Sequence, residues 1–373
     1  LIAFVSNSLR LLPFLLLIFL SGTRAQDPVY RVYDRRDGLP SNTVYCAFQN
    51  ANGFMWFGTD AGVCRFDGRN FRVFNVGDGM VDSEVLRIYQ DSRGRVWFLT
   101  LKGLLCYYFE GRIHNPYNDP ALPKRAAERG LLSFREDALG NLWFGGFGGQ
   151  VIRYSPEGKA DFIMTDSIRD PAIAGWVFLY EPEPGKVLVN RHSGLARIDA
   201  KTGSMEPVQI PEVGDTILWM DNTGNGKGML VSARGLFRLD GMRAVRLLPA
   251  DSIPERMGAG RISIDPDGSL WMMNNDKCVY YIRKRSGGGY EPMVRMFEGE
   301  FISRVFLDLE GNRWFTTISN GIYKTWPNNP QISARYIPSS QNREPTRAVL
   351  LSHDGSCWIG TTNGHVFRLK DNR

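Results

Sequence analysis

The stretch Gly53-Phe-Met-Trp-Phe-Gly-Thr-Asp-Ala-Gly-Val-Cys-Arg-Phe-Asp-Gly68 sets a tryptophan three residues after one glycine and six before another. The same spacing returns along the whole chain. The position of Trp56 is filled again by Trp97, Trp143, Leu188, Met229, Trp271, Trp314 and Trp358, at intervals of 41 to 46 residues. The leading glycine is present in all eight copies, as Gly53, Gly94, Gly140, Gly185, Gly226, Gly268, Gly311 and Gly355. The trailing glycine is Gly62, Gly103, Gly149, Gly194, Gly235 and Gly364; the seventh copy inserts a residue before Gly321, and the sixth carries Lys277 instead. A self-similar period of this length marks a repeat architecture, so the usual inference from length to domain number does not apply.

Each part of the unit has a physical reading. An apolar run such as Val85 to Tyr89 or Ile302 to Leu307 predicts a first strand. Asp91, Asp137, Asp265 or Asp308 then opens a turn by bonding to nearby backbone, and the leading glycine supplies positive φ. The anchor begins a second, antiparallel strand. Met55-Trp56-Phe57 and Val96-Trp97-Phe98 are apolar at consecutive positions, which requires cover on both faces of that strand. Third strands follow the trailing glycine, as at Val63 to Phe66, Val151 to Tyr154 and Leu236 to Leu239, and Phe71 to Phe74 reads as a fourth. Four short antiparallel strands per repeat predict an all-β chain built as a β-propeller of four-stranded blades. Tyr30 to Pro40 matches Phe71 to Val81 at an offset of 41 residues, so the chain enters the fold through an outer strand whose three partners come from a later copy. Two closures stay open: seven blades with an eighth repeat starting a second propeller, or one eight-bladed ring.

The stretch from Gly53 to Gly68 resembles the two-component regulator propeller repeat, as do Gly140 to Gly145 and Gly355 to Thr361. Asp37-Gly-Leu-Pro-Ser-Asn-Thr-Val44 is similar to the segment that opens the exported sensor region of bacterial histidine kinases carrying such repeats. The resemblance runs from about Tyr30 to the end and is degenerate in copies four to six. It implies a seven-bladed propeller over 26–338, an eighth repeat at 339–373 beginning a second propeller, and a ligand-sensing periplasmic region of a membrane-bound, homodimeric sensor kinase. The kinase core and the membrane span are outside this sequence, so a membrane is expected only through a missing C-terminal part and no phospho-accepting histidine is assigned.

Composition agrees with an exported globular protein. Of 373 residues, 43% are hydrophobic and 12% aromatic, with 40 glycines. Arg10, the apolar run Leu11 to Leu20 and small Thr23 and Ala25 form the layout of a signal peptide over 1–25. Its removal lowers the net charge from +6 to +4, and no basic stripe suggests a nucleic-acid partner. The leading Leu in place of Met suggests a partial reading frame. The five cysteines share no metal-ligand spacing, and four of them fall in apolar strands as small hydrophobes.

No catalytic residue, metal site or cofactor is expected. Gly145-Gly-Phe-Gly-Gly149 precedes a strand rather than a helix, so it reads as a hairpin and not a phosphate loop. Asp265-Pro-Asp-Gly268 lacks the distal glutamate of a calcium loop. Binding residues are sought in the loops between second and third strands, which a propeller gathers at one end. Their occupants are Asp60, Lys102, Phe147, His192, Arg234, Asn275, Asp276, Asn320 and Asn363. This mixture of hydrogen-bonding groups and an aromatic suits a small molecule or oligosaccharide, such as a carbohydrate or cell-envelope fragment. Ordinary loop variation accounts for the same residues. Trp176 and Trp219 fall on first strands near the axis, as core or as a stacking platform. An exported propeller glycosidase or lyase, and a purely structural interaction platform, are the alternative functions.

Overall fold

A computed structural model describes residues 28–124, 127, 130–165, 175–191, 193–224, 227–254, 261–273, 277–327, 346–352, 356–361 and 364–369. Two compact units divide between Pro327 and Asn328. In the first, the described strands form seven four-stranded antiparallel sheets. Six are built from consecutive strands; the first comprises Val44–Gln49, Met55–Thr59, Gly62–Phe66 and Phe71–Phe74. The seventh takes Ile302–Leu307, Arg313–Thr317 and Ile322–Thr325 from the end of the unit and Arg31–Tyr33 from its beginning. Val32 lies opposite Tyr323 in that pairing. The second unit contributes a three-stranded sheet, Thr346–Leu351, Cys357–Thr361 and Val366–Leu369. The architecture is a β-propeller, and among the described residues there is no α-helix.

The second strands are the core. Every residue of Met55–Thr59, Val96–Thr100 and Leu142–Gly146 is buried, as expected of a strand covered on both faces. The anchors Trp56, Trp97, Trp143 and Trp314 are wholly enclosed. Each sits between its own sheet and the next: Trp97 meets Phe144 at 5.3 Å between ring centroids, and Trp314 meets Phe57 at 5.4 Å. Trp358, in the separate three-stranded sheet, is more than a third exposed.

The turn aspartates do more than the sequence suggested. Asp91 Oδ1 accepts from the Arg93 and Arg95 backbone, closing the hairpin, while Oδ2 accepts from Trp97 Nε1 at 2.7 Å. Asp137, Asp265 and Asp308 hold Trp143, Trp271 and Trp314 in the same way. One carboxylate therefore satisfies both a turn and a buried indole N–H. In the first copy the position is Asn50, whose Oδ1 accepts from Phe54 N, and Trp56 Nε1 is left without a partner.

Two sets of hydrogen bonds stitch neighbouring sheets along their first strands, which pack on one another and so lie innermost. A side chain at one repeat position, the last residue of the first strand for Gln49, Gln90 and Glu136 and the middle one for Glu181, accepts from the hairpin of the preceding sheet: Leu309 N to Gln49, Ala51 N to Gln90, Ser92 N to Glu136 and Ala138 N to Glu181. Two or three residues from the start of a first strand, a small side chain donates to the next sheet's carbonyl, as Ser133 to Val177 and Ser263 to Val305 at 2.6 Å each, and Ser303 to Val44. The bonds from Leu309 and Ser303 join the seventh sheet to the first.

Candidate functional site

The loops between second and third strands are clamped to the segments that connect sheets. Gly62 N bonds to Ser83 O, Leu101 N to Glu84 O and Lys102 N to Asp82 Oδ2, so the loops of Asp60 and Lys102 share the segment 82–84. Asp60 has a buried carboxylate oxygen with no hydrogen-bond partner, whereas the exposed Lys102 ammonium stands 3.9 Å from Asp82. The other loops are held elsewhere. Phe147 pairs with Trp176 through a β-bridge and an edge-on ring contact at 5.2 Å. Arg234 Nη1 donates to Pro211 O at 2.5 Å, and Asn320 Nδ2 donates to Glu300 at 2.7 Å. His192, Asn275, Asp276 and Asn363 lie outside the described residues. Gly145 to Gly149 forms a hairpin; a Cβ on Gly145 would meet Val177 O at 2.4 Å, so close approach of the next sheet requires that glycine.

A second constellation lies on the inner strands, where sequence reasoning placed only tryptophans. Arg87, on Val85–Gln90, and Arg304, on Ile302–Leu307, occupy equivalent register positions, opposite Leu99 and Thr316. Arg304 pairs at 3.6 Å with Asp221 of Ile217–Gly224, in the fifth sheet, reaching past the sixth. Arg87 is 6% exposed, and burial together with the charge of Arg304 lowers its guanidinium pKa from the usual value. Burial and Asp221 push the Tyr89 phenol up to about 12, so it keeps its proton at neutral pH and can donate. Asp221 and Arg304 line a cavity of about 220 Å³ together with Trp219, Ile262, Ser263 and Val305. Trp219 is 3% exposed and belongs to the apolar core, while Trp176 is half-buried against Phe147.

A signal for this cluster was present. Ten residues before the anchor the eight copies read Cys46, Arg87, Ser133, Phe178, Trp219, Arg261, Arg304 and Ala348, so arginine breaks three otherwise apolar strands at one repeat position.

The geometry agrees with what comparison with known proteins finds. Residues 38–61 and 79–102 match the family described as two component regulator propeller. Those two segments are similar to the repeat of that family. Among solved structures, it is similar to the extracellular domain of BT3049, described as a hybrid two component system, from B. thetaiotaomicron. Identity is 18% and the TM-score 0.61, over 93% of this chain and 48% of that one. The corresponding domain of BT4673 from the same organism gives 16% identity and a TM-score of 0.57, over 93% and 46%. A streptogramin B lyase gives 14% identity and a TM-score of 0.60, over 80% of this chain and 97% of that one. At these identities the likeness establishes the propeller fold. The chain spans about half the length of the two extracellular domains it matches. No curated protein matches it significantly.

Proposed function

We propose that this chain is the exported, ligand-sensing propeller region of a two-component sensor histidine kinase, reading a carbohydrate or cell-envelope fragment at the end of the ring that carries Asp60, Lys102, Arg234 and Asn320. The observation that carries the reading is the occurrence of regulator propeller repeats at 38–61 and 79–102 in a chain whose fold follows two extracellular domains of hybrid two component systems over 93% of its length. In this reading the seven sheets of the first unit form one propeller and the repeat after 338 begins another. The sensor stands on the periplasmic face of the inner membrane as a homodimer, and ligand binding shifts an equilibrium that the kinase core reports.

The clamped rim loops support a binding role, because side chains on loops already fixed by hydrogen bonds lose less entropy when a ligand arrives. The test is thermal denaturation of the chain against a glycan panel. One compound class should raise the melting temperature, and Arg234→Ala or Lys102→Ala should reduce that rise without lowering the melting temperature of the free protein by a comparable amount. The likeness to a streptogramin B lyase favours one second reading, an exported propeller lyase or glycosidase. Turnover of a panel member with no stabilisation by any of them would select that reading over the sensor.

A further inference from the structure

Among the described side chains, the guanidinium groups of Arg87 and Arg304 and the carboxylate of Asp221 stand on the inner strands, two positive charges to one negative. Arg87 makes one hydrogen bond among the described residues, from Nη1 to the Leu86 carbonyl at 3.3 Å. Arg304 pairs with Asp221, yet its Nη1 is buried and has no hydrogen-bond partner. Nearby charges are already engaged. Arg135 holds Glu181 at 3.0 Å, and Asp265 accepts from both Arg313 and Trp271. A buried guanidinium with no carboxylate bonded to it among the described residues, and a second with an orphaned N–H, form a costly arrangement that an incoming anion would offset.

We propose that Arg87 and Arg304 form an anion site on the inner strands of the first unit that takes a carboxylate, carried either by an acidic sugar or by a small hydroxy acid. A carboxylate brings a single charge, whereas a dianionic phosphate or sulfate would set two against Asp221 and Asp265, which also line the cavity. The forked donors of guanidinium match the two oxygens of a carboxylate. The cavity of about 220 Å³ beside Arg304 has apolar walls at Trp219, Ile262 and Val305, with Ser263, Asp221 and Asp265 as polar points that can accept from hydroxyl groups on the body to which the carboxylate is attached. The site is separate from the rim loops and does not depend on the sensor reading.

The experiment is calorimetric titration of the full chain with sodium glucuronate, sodium lactate, glucose and sodium sulfate at one ionic strength. Glucuronate should bind and glucose should not. Binding of lactate as well would identify the carboxylate itself as the ligand group, and binding of glucuronate alone would identify the acidic sugar; both support the site. Arg87→Gln and Arg304→Gln should each weaken glucuronate binding about tenfold or more, as expected for loss of a charge-assisted bond. Asp221→Asn should strengthen it, by removing the competing carboxylate, and an increase in affinity cannot come from misfolding. Absence of binding by both carboxylates, equal binding of glucose or sulfate, or an affinity unchanged in all three variants would overturn the proposal.

Discussion

Replacing Asn50 by Asp should stabilise the protein, although it adds a charge at a site that is 5% exposed. Trp56 Nε1 is buried and has no acceptor, while the equivalent indoles of Trp97, Trp143 and Trp314 each bond at 2.7 Å to the aspartate six residues earlier. Asn50 cannot serve both neighbours. Its single carbonyl oxygen accepts from Phe54 N at 2.9 Å, and its other arm is an NH2 that only donates. Turning the amide over would merely move the orphan to Phe54.

An aspartate offers two oxygens, one for the backbone and one for the indole. The Arg65 guanidinium, 4.4 Å from the Phe54 ring centroid, provides a nearby positive charge. A buried donor without a partner costs about 1–3 kcal/mol, and desolvating the carboxylate takes back part of that gain, so a net stabilisation of about 1 kcal/mol is expected. For a chain of this size that is a rise in melting temperature of about 2 °C. The assay is thermal and urea denaturation of wild type, Asn50→Asp, Trp56→Phe and the double variant. In the Trp56→Phe background the gain should vanish, because no N–H remains to be satisfied. A destabilised Asn50→Asp, or the same gain with Phe at 56, would refute the reasoning.

Other consequences follow from single residues. Lys277 stands where seven other copies carry the trailing glycine, and it adopts φ 50°, the left-handed region. Lys277→Gly should raise stability by about 1 kcal/mol in the same denaturation assay. Arg153 donates to Asp161 at 2.5 and 3.1 Å and holds its carboxyl below the usual carboxylate range. The folded value lies below the unfolded one, so the pair's contribution is present above the unfolded value, about 3.9, and is lost as pH falls through the folded value. Asp161→Asn should therefore cost about 0.5–1 kcal/mol at neutral pH, with the difference from wild type closing below about pH 4 in a pH series of melting curves.

Repeat spacing made the fold legible because a propeller is assembled from local hairpins. A glycine three residues before Trp97 and an aspartate three before that glycine define a turn and a strand with little reference to the rest of the chain. The matched segments Tyr30 to Pro40 and Phe71 to Val81 also behave alike: Asp34 and Asn75 cap short 3₁₀ turns that end at Gly38 and Gly79, both with positive φ. What could not be read were the bonds between sheets. Gln49, Gln90, Glu136 and Glu181 share a repeat position, but their partners are backbone N–H groups one sheet away, which no single repeat reveals. The aspartate bond to the indole belongs with them, since Asp91 is explained by its turn alone until the ring of Trp97 is placed. The axial arginines were passed over for a related reason. Arg87 and Arg304 are separated by 217 residues and look like isolated polar breaks in apolar strands until both strands stand at the axis.

Closure of the first unit through its own beginning is the feature on which the account rests, and Arg31 lies directly across from Lys324 in that pairing. The decisive measurement is oxidation of an Arg31→Cys, Lys324→Cys variant, followed by peptide mapping and a melting curve. The closed arrangement predicts an intramolecular disulfide between those positions, a raised melting temperature and no such bond when Arg72→Cys on the outer strand of the first sheet replaces the change at 324. Failure to form the bond while both thiols can be alkylated, or formation only between molecules, would contradict it.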